Sequence, residues 1–342
     1  MINNVAMLPA ADDGCGYYRL WLPHLRTPNS KWCPANREGL VAFNAFAGCN
    51  VAVVQRLASD KNYETIEIMK QMGMKIVFDL DDDMWSVQSS NPAKEQLKMF
   101  QNYERGFQDC AIACNLITVS TAKLKSAVEN QIGKKIPVKV IGNAIDMAIL
   151  QQSPIKRNDG KVVIGWGGSN THLKDLATMG NALDIIIEEN KEAHLHWIGM
   201  APPGKHLQFH DRVNAHTWVP VKQFPVRLST WNWDIGVAPL EDNRFNRSKS
   251  AIKMMELGAL RKPCLASPVQ PYLEFTSLDK RLEWLLCENE KEWILKLTCL
   301  IVDEDQRNYY GNLMYEVVKE YYNMELRSKI WEDAFNQAAA SI

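Results

Sequence analysis

The sequence lacks any CxxC pair, although it contains eight cysteines, and several of these lie in apolar runs (Cys110, Cys114, Cys264, Cys287, Cys299). Reduced structural thiols in a cytoplasmic protein are the simplest account of that pattern. No apolar stretch is long enough to span a bilayer, and the chain does not open on a signal peptide, so neither insertion nor export is expected. Charge of one sign is also missing. The 39 Lys and Arg against 40 Asp and Glu leave a formal −1, which argues against a dedicated nucleic-acid coat while leaving room for a local basic face. There is no internal repeat, no low-complexity tract and no complete GxGxxG. The last absence weighs against a dinucleotide-dependent dehydrogenase.

The chain does contain ample apolar material, 46% of 342 residues, arranged as alternating strands and helices. Strands are expected at Val5 to Pro9, Asn50 to Gln55, Lys75 to Asp79, Leu116 to Ser120 and Val138 to Ile141. Helices are expected over Tyr63 to Met72, Asn91 to Cys114 and Ala122 to Gln131. The polar stretch Gln151 to Gly160 breaks the alternation and reads as a linker. A second series follows: strand Val162 to Gly165, helix Leu173 to Asn190, strand His194 to Ile198, strand Asp234 to Leu240, a helix from about Ser248 and strand Pro263 to Ser267. Helices over Glu290 to Val302 and Gln306 to Ala340 close the chain. Such alternation builds parallel sheets covered by helices. The expected fold is α/β, with two Rossmann-like domains facing across a cleft: 1–152, and 153–321, with a terminal helix at about 322–342 returning to the first. Ligands in such sheets bind beyond the carboxyl ends of the strands.

Four segments sit at those ends. The loop Asp12-Asp13-Gly14-Cys15-Gly16-Tyr17-Tyr18-Arg19 follows the first strand; its glycines let backbone approach a ligand, and a helix start offers donors. The run Asp79-Leu80-Asp81-Asp82-Asp83-Met84-Trp85 closes another strand. Its carboxylates could hold a divalent metal, position an acceptor or cap the local chain, and Trp85 could stack on a sugar or pack inward. Gly165-Trp166-Gly167-Gly168-Ser169-Asn170-Thr171-His172-Leu173-Lys174-Asp175 follows the first strand of the second half. The stretch WDIGVAPLEDNRFNRSKSAIKMMELGALRKPCLAS, Trp233 to Ser267, places Arg247, Lys249 and Ser250 at a helix N-terminus, where unpaired N–H groups favour an anion. Glu256 follows two turns later. Cations and amide donors near a carboxylate suit the phosphates and sugar hydroxyls of a nucleotide-sugar.

This last stretch resembles the donor-site segment of GT-B glycosyltransferases of the GT4-like group, in which DIGLAPL, a loop, an EALA-type helix and a GxPVVAS-type strand occur in order. The resemblance implies a retaining transferase using a nucleotide-sugar, expected to be UDP-linked, without a bound metal or other cofactor. It implies that Lys174, Arg247 and Lys249 stabilise the leaving diphosphate. Donor contacts would come from Gly14, Gly16, Gly167, Ser169, His172, Ser250 and Glu256, the last toward the ribose. Arg19, Asp81, Asp82, Asp83 and Trp85 are the acceptor-side candidates. The chain departs from the pattern at Ser248, where the group has a first glutamate, and at Trp166, where many members carry arginine. The opening segment DDGCGYYRLWLP is similar to glycosyltransferases of tailed phages, some of which modify 5-hydroxymethylpyrimidines in duplex DNA; that would place the enzyme in the host cytoplasm. Lys94, Lys98, Arg105, Lys123, Lys125, Lys134, Lys135 and Lys139 supply a cation excess in the acceptor half. A surface glycan, glycolipid or protein is the competing acceptor, and a non-catalytic nucleotide-binding module the competing class.

Overall fold

A computed structural model describes residues 4–34, 43–89, 91–92, 94, 102–150, 159–200, 202 and 205–341. The chain folds as two compact units. The first comprises Met1–Ala144, Ser248–Ser250 and Met324–Ile342; the second comprises Ile145–Arg247 and Ala251–Asn323.

Each unit is built on one parallel sheet. The first runs in the order β2-β1-β3-β4-β5-β6, from β1 (Val5–Leu8), β2 (Ser30–Trp32), β3 (Val51–Gln55), β4 (Lys75–Leu80), β5 (Leu116–Val119) and β6 (Val138–Val140). The second runs β11-β10-β7-β8-β9, from β7 (Val162–Gly168), β8 (Ala193–Gly199), β9 (Val213–His216), β10 (Ile235–Ala238) and β11 (Cys264–Ala266). Central strands such as VAML and VAVVQ are buried along their whole length, as a parallel sheet covered on both faces requires. Strand order reverses between β1 and β3 in the first sheet and between β7 and β10 in the second. Those are the points where an open α/β sheet leaves a crevice at its carboxyl edge.

The structure differs from the sequence reading where local pattern competes with packing. The helix expected over Leu173 to Asn190 is two helices, Leu173–Ala177 and Ala182–Glu189. The break falls at Gly180, whose φ of +58° suits glycine and where a Cβ would lie 1.8 Å from Glu290 Oε2. That same oxygen accepts the Asn181 N–H at 2.9 Å. The helix expected from Ser248 begins instead at Ile252, after a short turn of helix at Arg244–Arg247. The edge strands β2 and β9, SKW and VNAH, are too short and polar to carry a period-two signal. Within Asn91 to Cys114 the helix spans Tyr103–Ile112, and residues 93 and 95–101 lie outside the described residues. So does most of the expected linker, 151–158.

The closing helical stretch breaks at Tyr322–Asn323 into Glu304–Tyr321 and Met324–Ala339. The second of these belongs to the first unit, where it packs on β3, β4 and β5 and buries Trp331 and Phe335.

Candidate functional site

In the first unit the switch point is lined by the loops after β1 and β3. Gln55, the last residue of β3, is fully buried and fastens the first loop by donating to Cys15 O (3.2 Å) and accepting from Ala10 N (3.3 Å). Arg56 follows in a left-handed conformation, φ +49°, uncommon for a residue with a side chain and often retained where function demands it. Its guanidinium pairs with Asp13 at 2.9 Å. Asp13 also caps the short helix Gly14–Gly16 by accepting from Gly16 N. Gly14 has open space where a Cβ would be, which suits approach by a ligand. Gly16 does not: a Cβ there would meet Ala11 O at 2.3 Å, so its smallness serves the loop itself.

The β4 loop adds three carboxylates with separate environments. Asp82 accepts from Lys249 Nζ at 3.1 Å, a half-buried pair. Burial works to lower the Lys249 pKa, yet the Asp82 carboxylate holds that ammonium above its ordinary range. Asp83 is fully buried and cannot touch an acceptor directly, which corrects the sequence assignment. Asp81 is 8% exposed, and its Oδ1 is buried without a hydrogen-bond partner. Cys15 Sγ and the Asp81 and Asp82 oxygens lie within 4.8 Å of one another. A cation entering there would have to displace Lys249 from Asp82, and burial above all holds the Cys15 thiol well above its ordinary value, a poor ligand state.

Burial first, and Asp82 beside it, push the Asp81 carboxyl up to about 6. An unfolded Asp ionises near 3.9. Protonated Asp81 therefore favours the native state below about pH 4, and this contribution is lost as pH rises to about 6. Wild type should lose on the order of 1–3 kcal/mol of stability between pH 4 and 7 that Asp81→Asn retains. Urea midpoints measured across that range check this, and parallel curves for the two proteins would refute it.

Arg19, expected at the ligand, is an interior residue at 1% exposure. Its guanidinium pairs with Asp79 at 2.7 Å, donates to Ile141 O and to Asn143 Oδ1 (3.1 Å), and lies 5.1 Å from the centre of the Trp331 ring. Asp79 Oδ1 also accepts from Thr118 Oγ1 at 2.7 Å. The arginine therefore organises the sheet end and does not bind an acceptor. Trp85 is half-buried and packs inward, one of its two expected roles: its indole donates to Glu104 O, and its ring meets Phe107 edge-on.

Lys249 and Ser250 belong to the first unit, although the sequence places them on a helix of the second half. Asn143 Nδ2 donates to Ser250 Oγ at 2.7 Å, and Thr121 Oγ1 donates to Ser248 O at 2.8 Å. The sequence reading missed Arg56 and Asn143. A lone arginine immediately after the apolar run of β3 was the available signal for the first.

In the second unit the carboxyl ends of β7 and β10 are joined through Asp175, which is 5% exposed. Its Oδ1 accepts from Glu241 N and Asn246 Nδ2, both at 2.9 Å, and its Oδ2 faces His172 Nδ1 at 2.7 Å. His172 is thus held in one orientation, edge-on to Trp166. Ser169 caps the turn Asn170–His172. Gly167 leaves room, with Phe224 and Ile198 no nearer than 3.7 Å to a Cβ. Lys174 lies exposed on the next helix. Arg247 is exposed and bidentate to Asp242 at 2.6 and 2.7 Å, which lowers the Asp242 pKa. Exposed pairs contribute little to stability, so this arginine can exchange Asp242 for another anion. Glu256 is buried on the helix Ile252–Ala259. The sequence reading included Asp175 in its segment but missed its bonds to Glu241 N and Asn246, which span 66 and 71 residues.

No protein-family description and no curated protein matches the sequence. The likeness lies in structure. Sucrose-phosphate synthase from Thermosynechococcus elongatus superposes with a TM-score of 0.67 at 11% identity, over 98% of each chain. HepE from Anabaena, in complex with UDP, gives 0.65 at 11% over 97% of this chain and 99% of that one. TarM from S. aureus, in complex with fondaparinux, alpha-GlcNAc-glycerol and UDP, gives 0.60 at 13% over 84% of this chain and 55% of that one. At such identities the likeness establishes the fold, two parallel-sheet α/β domains of the GT-B type. Among the described residues no helix is long and apolar enough to cross a membrane.

Proposed function

We propose that this chain is a glycosyltransferase that takes a sugar from a UDP-sugar and passes it, with retention of configuration, to an acceptor hydroxyl. The observation that carries the reading is the carboxyl edge of the second sheet, where Gly167 at the end of β7, Ser169 and His172 in the turn that follows, and Lys174 and Arg247 on the short helices after β7 and β10 lie beside the β7–β10 reversal. Leaving-group departure loads negative charge on a diphosphate, and a nearby cation with turn amides is the appropriate answer to it. The UDP complex of HepE, an overall structural neighbour, supports a uridine nucleotide. Lys174 is the principal cation and Arg247 its mobile partner. Lys249, matched to Asp82 in the first unit, is assigned to holding the acceptor-side loop, and Asp81 and Asp82 to acceptor hydroxyls. Same-face attack, with the leaving phosphate taking the acceptor proton, needs no carboxylate nucleophile.

The acceptor we infer is 5-hydroxymethylpyrimidine in DNA, acted on in the cytoplasm, of a host cell if the gene is viral. Of the cation excess in the first unit, Lys94 pairs with Glu104, Arg105 with Asp109 and Lys125 with Glu129. Lys123, Lys134 and Lys135 are exposed around the helix Ala122–Ile132 and its following turn. Incubation with a panel of nucleotide-sugars, with and without hydroxymethylated duplex, should release UDP only in the presence of that DNA. Charge reversal at the three lysines should weaken DNA binding and flatten its salt dependence by about one unit of slope for each phosphate no longer neutralised. UDP release prompted by a saccharide or glycerol acceptor instead would move the acceptor to the class bound by TarM. Absence of turnover with every donor, despite UDP binding, would make the chain a nucleotide-binding module.

A further inference from the structure

We propose that Glu188, His206 and His210, in the second unit, form a binding site for a divalent cation of the zinc class. Two i,i+4 pairs face each other: Asp184 and Glu188 on the helix Ala182–Glu189, and His206 and His210 at the helix Lys205–Phe209 and the residue after it. One ligand atom from each of Glu188, His206 and His210 falls within 4.8 Å of the other two. Glu188 Oε1 lies 2.9 Å from His206 Nε2 and 3.8 Å from His210 Nε2. Tetrahedral zinc with ligands at about 2.0–2.1 Å requires neighbouring donors about 3.3 Å apart, between those two distances. The imidazole rings stand 5.4 Å apart at 82°, so they converge by their edges and do not stack.

The outer contacts decide which nitrogen is available. His206 Nδ1 lies 3.2 Å from Asp184 Oδ1, and His210 Nδ1 lies 3.1 Å from Asp211 Oδ1. Asp184 accepts the His206 Nδ1–H and so leaves the His206 Nε2 lone pair pointing at Glu188, the carboxylate–histidine arrangement that orients metal ligands; Asp211 offers His210 the same contact. With both Nε2 atoms unprotonated, three lone-pair atoms face one another and repel unless positive charge sits among them. His210 Nδ1 is also 3.1 Å from the Arg212 N–H, a contact that fits the other tautomer. Cation binding selects the Asp211 contact over it. Two imidazoles and a carboxylate suit zinc, cobalt or nickel better than calcium or magnesium. Glu188 and His206 are exposed, so water completes the shell, and the bound ion fastens the 205–210 segment to its neighbouring helix.

The test is calorimetric titration of the full chain with ZnCl2, alongside melting curves with and without the metal. One equivalent should bind and raise the melting temperature. His206→Asn and His210→Asn should melt as wild type without metal and lose both effects. Asp184→Asn should weaken binding about tenfold or more. Cobalt should give the visible bands of a tetrahedral nitrogen–oxygen site. Binding that survives both histidine replacements would overturn the proposal, as would a cobalt spectrum with thiolate charge-transfer bands or no uptake at all. None of these readouts depends on glycosyl transfer.

Discussion

Arg19→Met should cost the protein about 3–5 kcal/mol, the usual penalty for leaving one partner of a buried ion pair without its counter-charge. Arg19 and Asp79 are at 1% and 0% exposure and 60 residues apart in sequence. Removing the arginine strands the Asp79 carboxylate with Thr118 Oγ1 alone among the contacts described above, and it leaves Ile141 O and Asn143 without their donor. Asn143 in turn holds Ser250, so the damage should extend to the Lys249 segment. The double replacement Arg19→Met with Asp79→Leu should recover much of the loss, because apolar groups of similar volume can stand in for a buried pair. Chemical denaturation of the two variants decides the matter. A single-site cost below about 1 kcal/mol, the range of an exposed pair, would mean that the network contributes little.

Lys174→Ala should lower turnover about 10²–10³-fold, the range seen when one preorganised stabiliser of developing charge is removed. Its effect on the affinity for the intact UDP-sugar should be smaller, since the diphosphate gains its extra charge only as the bond to the sugar breaks. Lys174→Arg should restore part of the rate. Arg247→Ala should cost less than Lys174→Ala, because Arg247 must first leave Asp242. Initial rates together with UDP-sugar titration separate these expectations. A defect confined to the acceptor KM would place Lys174 on the wrong side of the reaction and with it the donor assignment of the second sheet.

The strands most legible in the sequence were those with the strongest local pattern. VAVVQ, VAML and IGVA are apolar runs of strand length between polar turns, and a fully buried parallel strand can be little else. The helix Glu290–Val302 was legible for a related reason, a stretch of helix-favouring residues behind the cap Asn289, whose side chain accepts from Glu292 N. From such elements the α/β class and the parallel sheets follow. The glycine at 180 was not read as a break; its positive φ, and the Glu290 oxygen 110 positions away that accepts the next N–H, appear only in the folded chain.

The candidate site was legible as segments and not as partnerships. Sequence alone put the loops after β1, β4, β7 and β10 at strand ends, where ligands bind, and supplied their cations and carboxylates. Only the tertiary structure turned Arg19 inward to Asp79, buried Asp83, joined Lys249 to Asp82 across 167 residues and made Asp175 the tie between two loops. The physical reason is the range of the interactions. Burial periodicity is written in neighbouring residues and survives in any compact fold. Whether a charge is neutralised, desolvated or left available depends on which distant group the folded chain brings within about 3 Å of it.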